Sequence, residues 1–194
     1  NPMSFKDRVY NIFFNYILIN LYQEINVQCS TYKNYLQSRG YKGKVFISKI
    51  FVHKEFPRSL YTSDSRKVIG MAGRNHPIKR WDLYEMYAIN FQNFDFIHCG
   101  NNSSINRSTN LGELKNMDLF YSKIDILLIL SNYEGLPNVL LEAQCLKKII
   151  LSTKCPTGPK EILLNGKGGL LFNVGNSDQL SKKIMYYEKN KKKC

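Results

Sequence analysis

The stretch SNYEGLPNVLLEA, residues 131–143, directly follows the apolar run Ile124–Leu130, and this junction decides how the chain is read. A short run rich in Ile and Leu and bounded by turn residues reads as a buried strand. The change to Ser, Asn, Gly and Pro marks a loop, and Pro137 marks the first turn of a helix, where a missing N–H leaves nothing unsatisfied. Strands that run into helices build parallel sheets. In such sheets ligands bind beyond the carboxyl ends of the strands, where helix N-termini direct N–H groups and a partial positive charge outward. Glu134 then lies in the loop and Glu142 about two turns inside the helix, so the two carboxylates meet one ligand at different depths. The amides of Asn138 and Val139 face a phosphate or a sugar hydroxyl.

The alternation continues on both sides of this junction. Strands are expected at Val68–Ala72, Phe94–Cys99, Ile149–Ser152 and Gly169–Phe172, and helices near residues 81–91, 137–146, 158–164 and 177–187. Upstream, a helix is expected over residues 5–22. Strands at Ile25–Cys29 and Val45–Ile50 flank a second helix, which Ser30 caps and Gly40 closes after Arg39. The segment from Phe51 to Lys67 has no period and contains Pro57, Ser59, Thr62, Ser63 and Ser65, which suits a linker. The expected organisation is α/β throughout. Residues 1–50 form a partial α/β domain, 51–66 a linker, and 67–194 a Rossmann-like parallel sheet with helices on both faces.

Two further strand-end loops face the same edge. Val68–Ala72 ends in GRNHPIK, residues 73–79, whose Arg74 and Lys79 carry fixed positive charges suited to a diphosphate. The loop from Thr153 to Glu161 adds glycine, hydroxyl and charge. Alone, Arg74 and Lys79 read as surface cations, Glu134 as a helix cap and Glu142 as a solvated side chain. Three loops aimed at one crevice favour a binding site.

The net charge of +13, from 28 basic and 15 acidic residues, suits phosphate-rich ligands or anionic lipid. It is spread along the chain. The final lysines, Lys189 and Lys191–Lys193, read as a solvated tail. No zinc finger, RNP-type aromatic strand or basic helix accompanies the charge, so nucleic acid is not an expected partner. The five cysteines are odd in number and lack C-x-x-C spacing, which implies reduced thiols and no metal site. Val9–Tyr22 is too short for a membrane span and is broken by Asn11, Asn15 and Asn20. No signal peptide or transmembrane helix is expected, and the expected location is cytoplasmic.

Taken together, Glu134-x7-Glu142 within residues 131–143, GRNHPIK at 73–79, CPTGPKEIL at 155–163 and GKGGLLFNVGNSDQL at 166–180 resemble glycosyltransferase family 4, the retaining GT-B group. Its bacterial surface-polysaccharide transferases are the most similar. The resemblance implies that Arg74 and Lys79 contact the diphosphate of a nucleoside diphosphate-sugar and that Glu142 holds the ribose hydroxyls. Glu134 becomes the catalytic carboxylate, and Gly135, Leu136, Asn138 and Val139 meet the transferred sugar and its phosphate. No metal or other cofactor is implied, because cations and helix dipoles neutralise the leaving diphosphate. The acceptor is implied to be a glycan or a lipid-linked glycan in polysaccharide or lipopolysaccharide biosynthesis, met at the anionic inner face of the cell membrane.

A complete family member carries a whole N-terminal acceptor-side domain, and residues 25–52 look like the end of one. The expectation is therefore a missing N-terminal half. The alternative to an active hexosyltransferase-type enzyme is a non-catalytic donor-binding half of a split or truncated transferase. The chain departs from the family at Arg80-Trp81, where glycine usually follows the loop lysine. That departure alters the loop's fit or adds a charge to it.

Overall fold

The computed structural model describes residues 16–17, 21–48, 67–101, 105–155 and 157–189. Most of the expected helix over 5–22, the linker 51–66 and the final lysines lie outside the described residues. The chain divides into two compact units, Asn1–Phe51 and Val52–Cys194.

The first unit contains β1 (Glu24–Val27), α1 (Ser30–Ser38) and β2 (Lys44–Ile47). The two strands pair in parallel from Glu24↔Lys44 to Val27↔Ile47, so the segment is a βαβ crossover. Cys29, not Ser30, is the N-cap of α1. Its backbone is extended and no side chain caps the helix, so Ser30 is already the first helical residue. At the other end Gly40 adopts φ +89°. The Gly40 amide donates to the Gln37 carbonyl and the Tyr41 amide to that of Leu36 at 3.1 Å, a Schellman closure one residue past the Arg39 cap.

The second unit holds a six-stranded, all-parallel sheet. Its strands are β3 (Val68–Ala72), β4 (Asp95–Cys99), β5 (Thr109–Asn110), β6 (Ile126–Ile129), β7 (Ile149–Thr153) and β8 (Leu170–Phe172). They lie side by side in the order β5-β4-β3-β6-β7-β8. The chain starts in the middle, builds outward one way, then returns past β3 and builds the other way. The order therefore reverses between β3 and β6, the switch point at which doubly wound sheets open a crevice at their carboxyl edge.

The two-residue period of the strands separates two cores. Ile69, Met71, Phe96, Ile126, Leu128, Leu151 and Phe172 face one side and pack with Tyr84, Tyr87 and Ala88 of α2 (Trp81–Asn90) and with Leu180 and Ile184 of α6 (Ser177–Lys189). Ile97, Cys99, Leu127, Ile129, Ile150 and Leu171 face the other side. They pack with Phe120 and Tyr121 of α3 (Asp118–Lys123) and with Leu140 and Ala143 of α4 (Asn138–Cys145). Both faces are covered, which is why the strand sequences are apolar runs without alternation.

Neither α3 nor the two-residue β5 has a counterpart in the sequence reading. At six residues α3 is too short to show a helical repeat. Gly70 lets it approach the sheet, since a side-chain carbon there would collide with Ile124 and the Phe120 ring. Asp125, the one charge in the apolar run, precedes β6. It accepts from the Val68 amide at 2.9 Å and pairs with Lys67 at 3.2 Å, fastening the N-terminal ends of β3 and β6 opposite the crevice. A short helix, α5 (Pro159–Ile162), follows β7.

Candidate active site at the sheet's switch point

All three predicted loops meet at the carboxyl edge of β3, β6 and β7. The chain leaves β3 through Gly73 and Arg74 and turns in a 3₁₀ segment, Pro77–Lys79, whose first turn is capped by His76 Nδ1 accepting from the Ile78 amide. Lys79 reaches back across Gly73, and its Nζ lies 2.6 Å from Glu134 Oε1 in the loop after β6. Both side chains are largely shielded, at 19% and 10% exposure. Ser131 Oγ–H donates to the same carboxylate oxygen. The Asn132 amide donates to the Ile78 carbonyl at 2.9 Å, so backbone and side chain both join the first loop to the second.

The third loop closes on the second from the other side. Thr153 Oγ1 donates to the Ser131 carbonyl at 2.7 Å, and Thr157 Oγ1 donates to the Glu134 carbonyl. Gly158 makes this approach possible. Its φ is +64°, and any side-chain carbon would strike the Gly135 carbonyl oxygen. Glu134 therefore stands where three loops meet, with its carboxylate on Lys79 and Ser131 and its backbone on Thr157. It is not the cap of α4, whose N-cap is Pro137 with no side-chain cap.

That uncapped terminus leaves the first-turn amides of α4, Asn138 and Val139, without intrahelical acceptors. Gly135, Leu136 and Val139 are half-buried and Asn138 is exposed. Glu142, one turn beyond Val139, is half-buried. Tyr121 O–H donates to Glu142 Oε2 at 2.7 Å, and the Val139 carbonyl lies 3.2 Å from the same hydroxyl. Burial and the Glu142 carboxylate push the Tyr121 phenol well above its ordinary range. Tyr121 escaped the sequence reading, and only its place five residues before β6 hinted at a buried position.

Arg74 is exposed and, among the described residues, has no ion-pair partner. It borders a cleft of about 370 Å³ that Gly73, Gly100, Asn101, Glu113 and Val139 also line. Asn101 Oδ1 accepts from the Asn75 amide at 2.8 Å, and Trp81 Nε1–H donates to the Arg74 carbonyl at 3.0 Å. These two bonds hold the peptide group that follows Arg74, and its side chain is left exposed to solvent.

Arg80 explains the departure from glycine. It adopts a left-handed conformation, φ 59° and ψ 50°, which costs a non-glycine residue about 1–2 kcal/mol. Its guanidinium forks onto Asp82 at 2.8 and 2.9 Å. The hydrogen bond from Arg80 holds the Asp82 carboxyl below its ordinary range. The Arg80 charge is thus matched locally by Asp82 and does not add to the charge of the Gly73–Lys79 loop. Among the described residues, no group of three His, Cys, Asp or Glu side chains is placed to hold a metal ion, and no helix is long and apolar enough to cross a membrane.

Residues 101–194 match the family described as glycosyl transferases group 1. Over 79 residues the chain is 30% identical to the Vi polysaccharide biosynthesis protein VipC/TviE of Salmonella typhi, covering 41% of this chain and 14% of that protein. Over 74 residues it is 31% identical to the Campylobacter jejuni GalNAc-alpha-(1->4)-GalNAc-alpha-(1->3)-diNAcBac-PP-undecaprenol alpha-1,4-N-acetyl-D-galactosaminyltransferase, covering 38% of this chain and 21% of that one. A TarM variant of S. aureus, solved with fondaparinux, alpha-GlcNAc-glycerol and UDP, superposes with a TM-score of 0.78 at 19% identity. That match covers 95% of this chain and 40% of TarM, and at this identity it shows the GT-B fold alone. The chain spans less than half the length of each of these proteins.

Proposed function

We propose that the second unit, whose residues 101–194 match the family described as glycosyl transferases group 1, binds a nucleoside diphosphate-sugar at the β3/β6 switch point. There it serves a retaining transfer of the sugar to a glycan or lipid-linked acceptor. The observation that carries this reading is the meeting of three strand-end loops around Glu134, beside the uncapped N-terminus of α4. In this reading Arg74 and Lys79 take the diphosphate as charged donors, in the geometry that makes such bonds stronger than neutral ones. The amides of Asn138 and Val139 add the helix N-terminus to the same charge. Glu142 accepts from the ribose hydroxyls. Glu134, with the Gly135 and Leu136 backbone, meets the transferred sugar.

Mechanistically, retention needs developing positive charge at the anomeric carbon to be matched while the diphosphate leaves. Fixed cations and a helix terminus stabilise the leaving group without reorganisation. Lys79 and Ser131 both bond Glu134 Oε1, so its carboxylate is held in place before any donor arrives. The acceptor-side wall and the transfer itself belong to the reading of the whole protein. So do a cytoplasmic setting and contact with an anionic membrane surface, which the basic surface suits. Flotation with neutral and anionic vesicles tests the membrane contact, and equal binding to neutral vesicles would count against it.

The donor reading is tested by calorimetric titration with UDP, GDP, ADP and their sugars. One nucleotide series is expected to bind, and Arg74→Ala is expected to weaken it by about 1.5–3 kcal/mol. Binding that Arg74→Ala leaves unchanged removes Arg74 from the diphosphate site.

A further inference from the structure

We propose that Tyr121 is the positioning residue for Glu142, fixing the carboxylate so that one oxygen is kept for the nucleotide's vicinal diol. The inference rests on the reading of Glu142 as the ribose acceptor and adds to it a residue on a different element.

The Tyr121 ring is 1% exposed and lies edge-on to Phe120, with centroids 5.3 Å apart, inside the core beneath α4. A phenol carries one proton. Of the two acceptors within reach, the Glu142 carboxylate at 2.7 Å is charged and closer than the Val139 carbonyl at 3.2 Å, so it takes that proton. The bond is made to Oε2. Glu142 Oε1 has no hydrogen-bond partner among the described residues, which leaves one oxygen of a half-buried carboxylate for a ligand.

A free glutamate samples many rotamers, and ordering it on binding costs affinity. Tyr121 removes that cost beforehand, because its own position is set by the core. The placement also ties the contact to the cleft. Met117, one helical turn before Tyr121, and Val139, one turn before Glu142, both line it. The phenol stays protonated at neutral pH, since burial and the adjacent carboxylate both raise its pKa, so the donor role is constant.

The test compares UDP, GDP and ADP with their 2′,3′-dideoxy counterparts by calorimetry. Tyr121→Phe keeps the ring and removes the hydroxyl, and its melting temperature reports whether the core is intact. The bound nucleotide is expected to lose about five- to tenfold in affinity, the size of one hydrogen bond. Its dideoxy counterpart should change by less than about twofold, so discrimination for the diol falls. In a Glu142→Ala background, Tyr121→Phe should add nothing further.

Equal losses for both nucleotides, or loss of affinity in the Glu142→Ala background too, would assign Tyr121 a purely structural role and overturn the proposal. Preserved diol discrimination in Glu142→Ala alone would overturn the ribose reading of Glu142, and with it this inference. Binding of no nucleotide at all would overturn the donor reading beneath both.

Discussion

Lys79 Nζ and Glu134 Oε1, 55 positions apart in sequence, are 2.6 Å apart across the β3/β6 switch point. Each is the other's counter-ion in the unliganded protein, and both are mostly withdrawn from solvent. Removing one partner leaves the other as an uncompensated charge. Lys79→Met is therefore expected to lower stability by about 1–3 kcal/mol. The double variant Lys79→Met with Glu134→Gln should recover most of that loss, because neither charge remains. Urea denaturation of the two singles, the double and the unaltered protein measures the coupling. Strictly additive effects would show that the pair contributes no mutual stabilisation.

The same pair sharpens what each glutamate should do to ligands. Glu134→Ala releases Lys79 from its carboxylate, so affinity for a bare nucleoside diphosphate should stay constant or rise. Affinity for the nucleotide sugar should fall, by about tenfold for one charged hydrogen bond. Glu142→Ala should weaken both ligands alike, because both carry the ribose. Titrating both ligands into both variants settles the division, and parallel losses across all four combinations would reject it.

The junction from Leu130 into residues 131–143 was legible because a buried parallel strand, a turn and a helix start each leave a compositional mark within a few positions. The β3 loop was legible for the same reason. What the sequence could not carry was pairing at a distance. Nothing local says that Lys79 turns toward Glu134 rather than outward beside Arg74, since that depends on which strands become neighbours. Tyr121 was hidden because α3 is too brief to show a period, although its hydroxyl bonds the Glu142 carboxylate directly. Ser30 was expected to cap α1 on its residue type, yet the chain enters the helix one residue earlier at Cys29. Arg80 shows the opposite failure. A left-handed position normally signals itself by glycine, and here an arginine fills it, held by Asp82.

The thiols give a pH-dependent prediction. Burial raises Cys99 and Cys155 from 9.0 to about 11, whereas Cys145 is exposed. Below pH 9 both buried thiols are neutral in the folded and unfolded chain, and their titration costs no stability. Above it the unfolded chain loses these protons first, so stability should decline as pH rises from about 9 to about 11. Alkylation near neutral pH should label Cys145 and spare Cys99 and Cys155 until the unit unfolds. Mass spectrometry after brief iodoacetamide treatment checks this, and early labelling of Cys155 would contradict its burial beside Glu134.

Gly158 links the fold to the site most tightly, and its replacement gives the sharpest prediction. Its φ of +64° is one that an L side chain resists, and the Gly135 carbonyl occupies the space a side chain would need. Gly158→Ala must therefore shift the backbone, and the shift has one direction open to it, away from the Glu134 loop. That movement would stretch the Thr157 bond to the Glu134 carbonyl and the Thr153 bond to the Ser131 carbonyl, loosening the loop that carries the Lys79 partner. Stability should fall by about 1–3 kcal/mol, and nucleotide-sugar affinity should fall with it. Gly175 provides the comparison. Its φ is +75° with nothing within 4 Å of an added carbon, so Gly175→Ala meets backbone strain and no collision. That variant should lose about 1 kcal/mol of stability and keep its ligand affinity. Melting curves and donor titrations of the two variants separate strain from loop displacement. If Gly158→Ala bound the donor as well as Gly175→Ala does, the third loop would have no part in shaping the site.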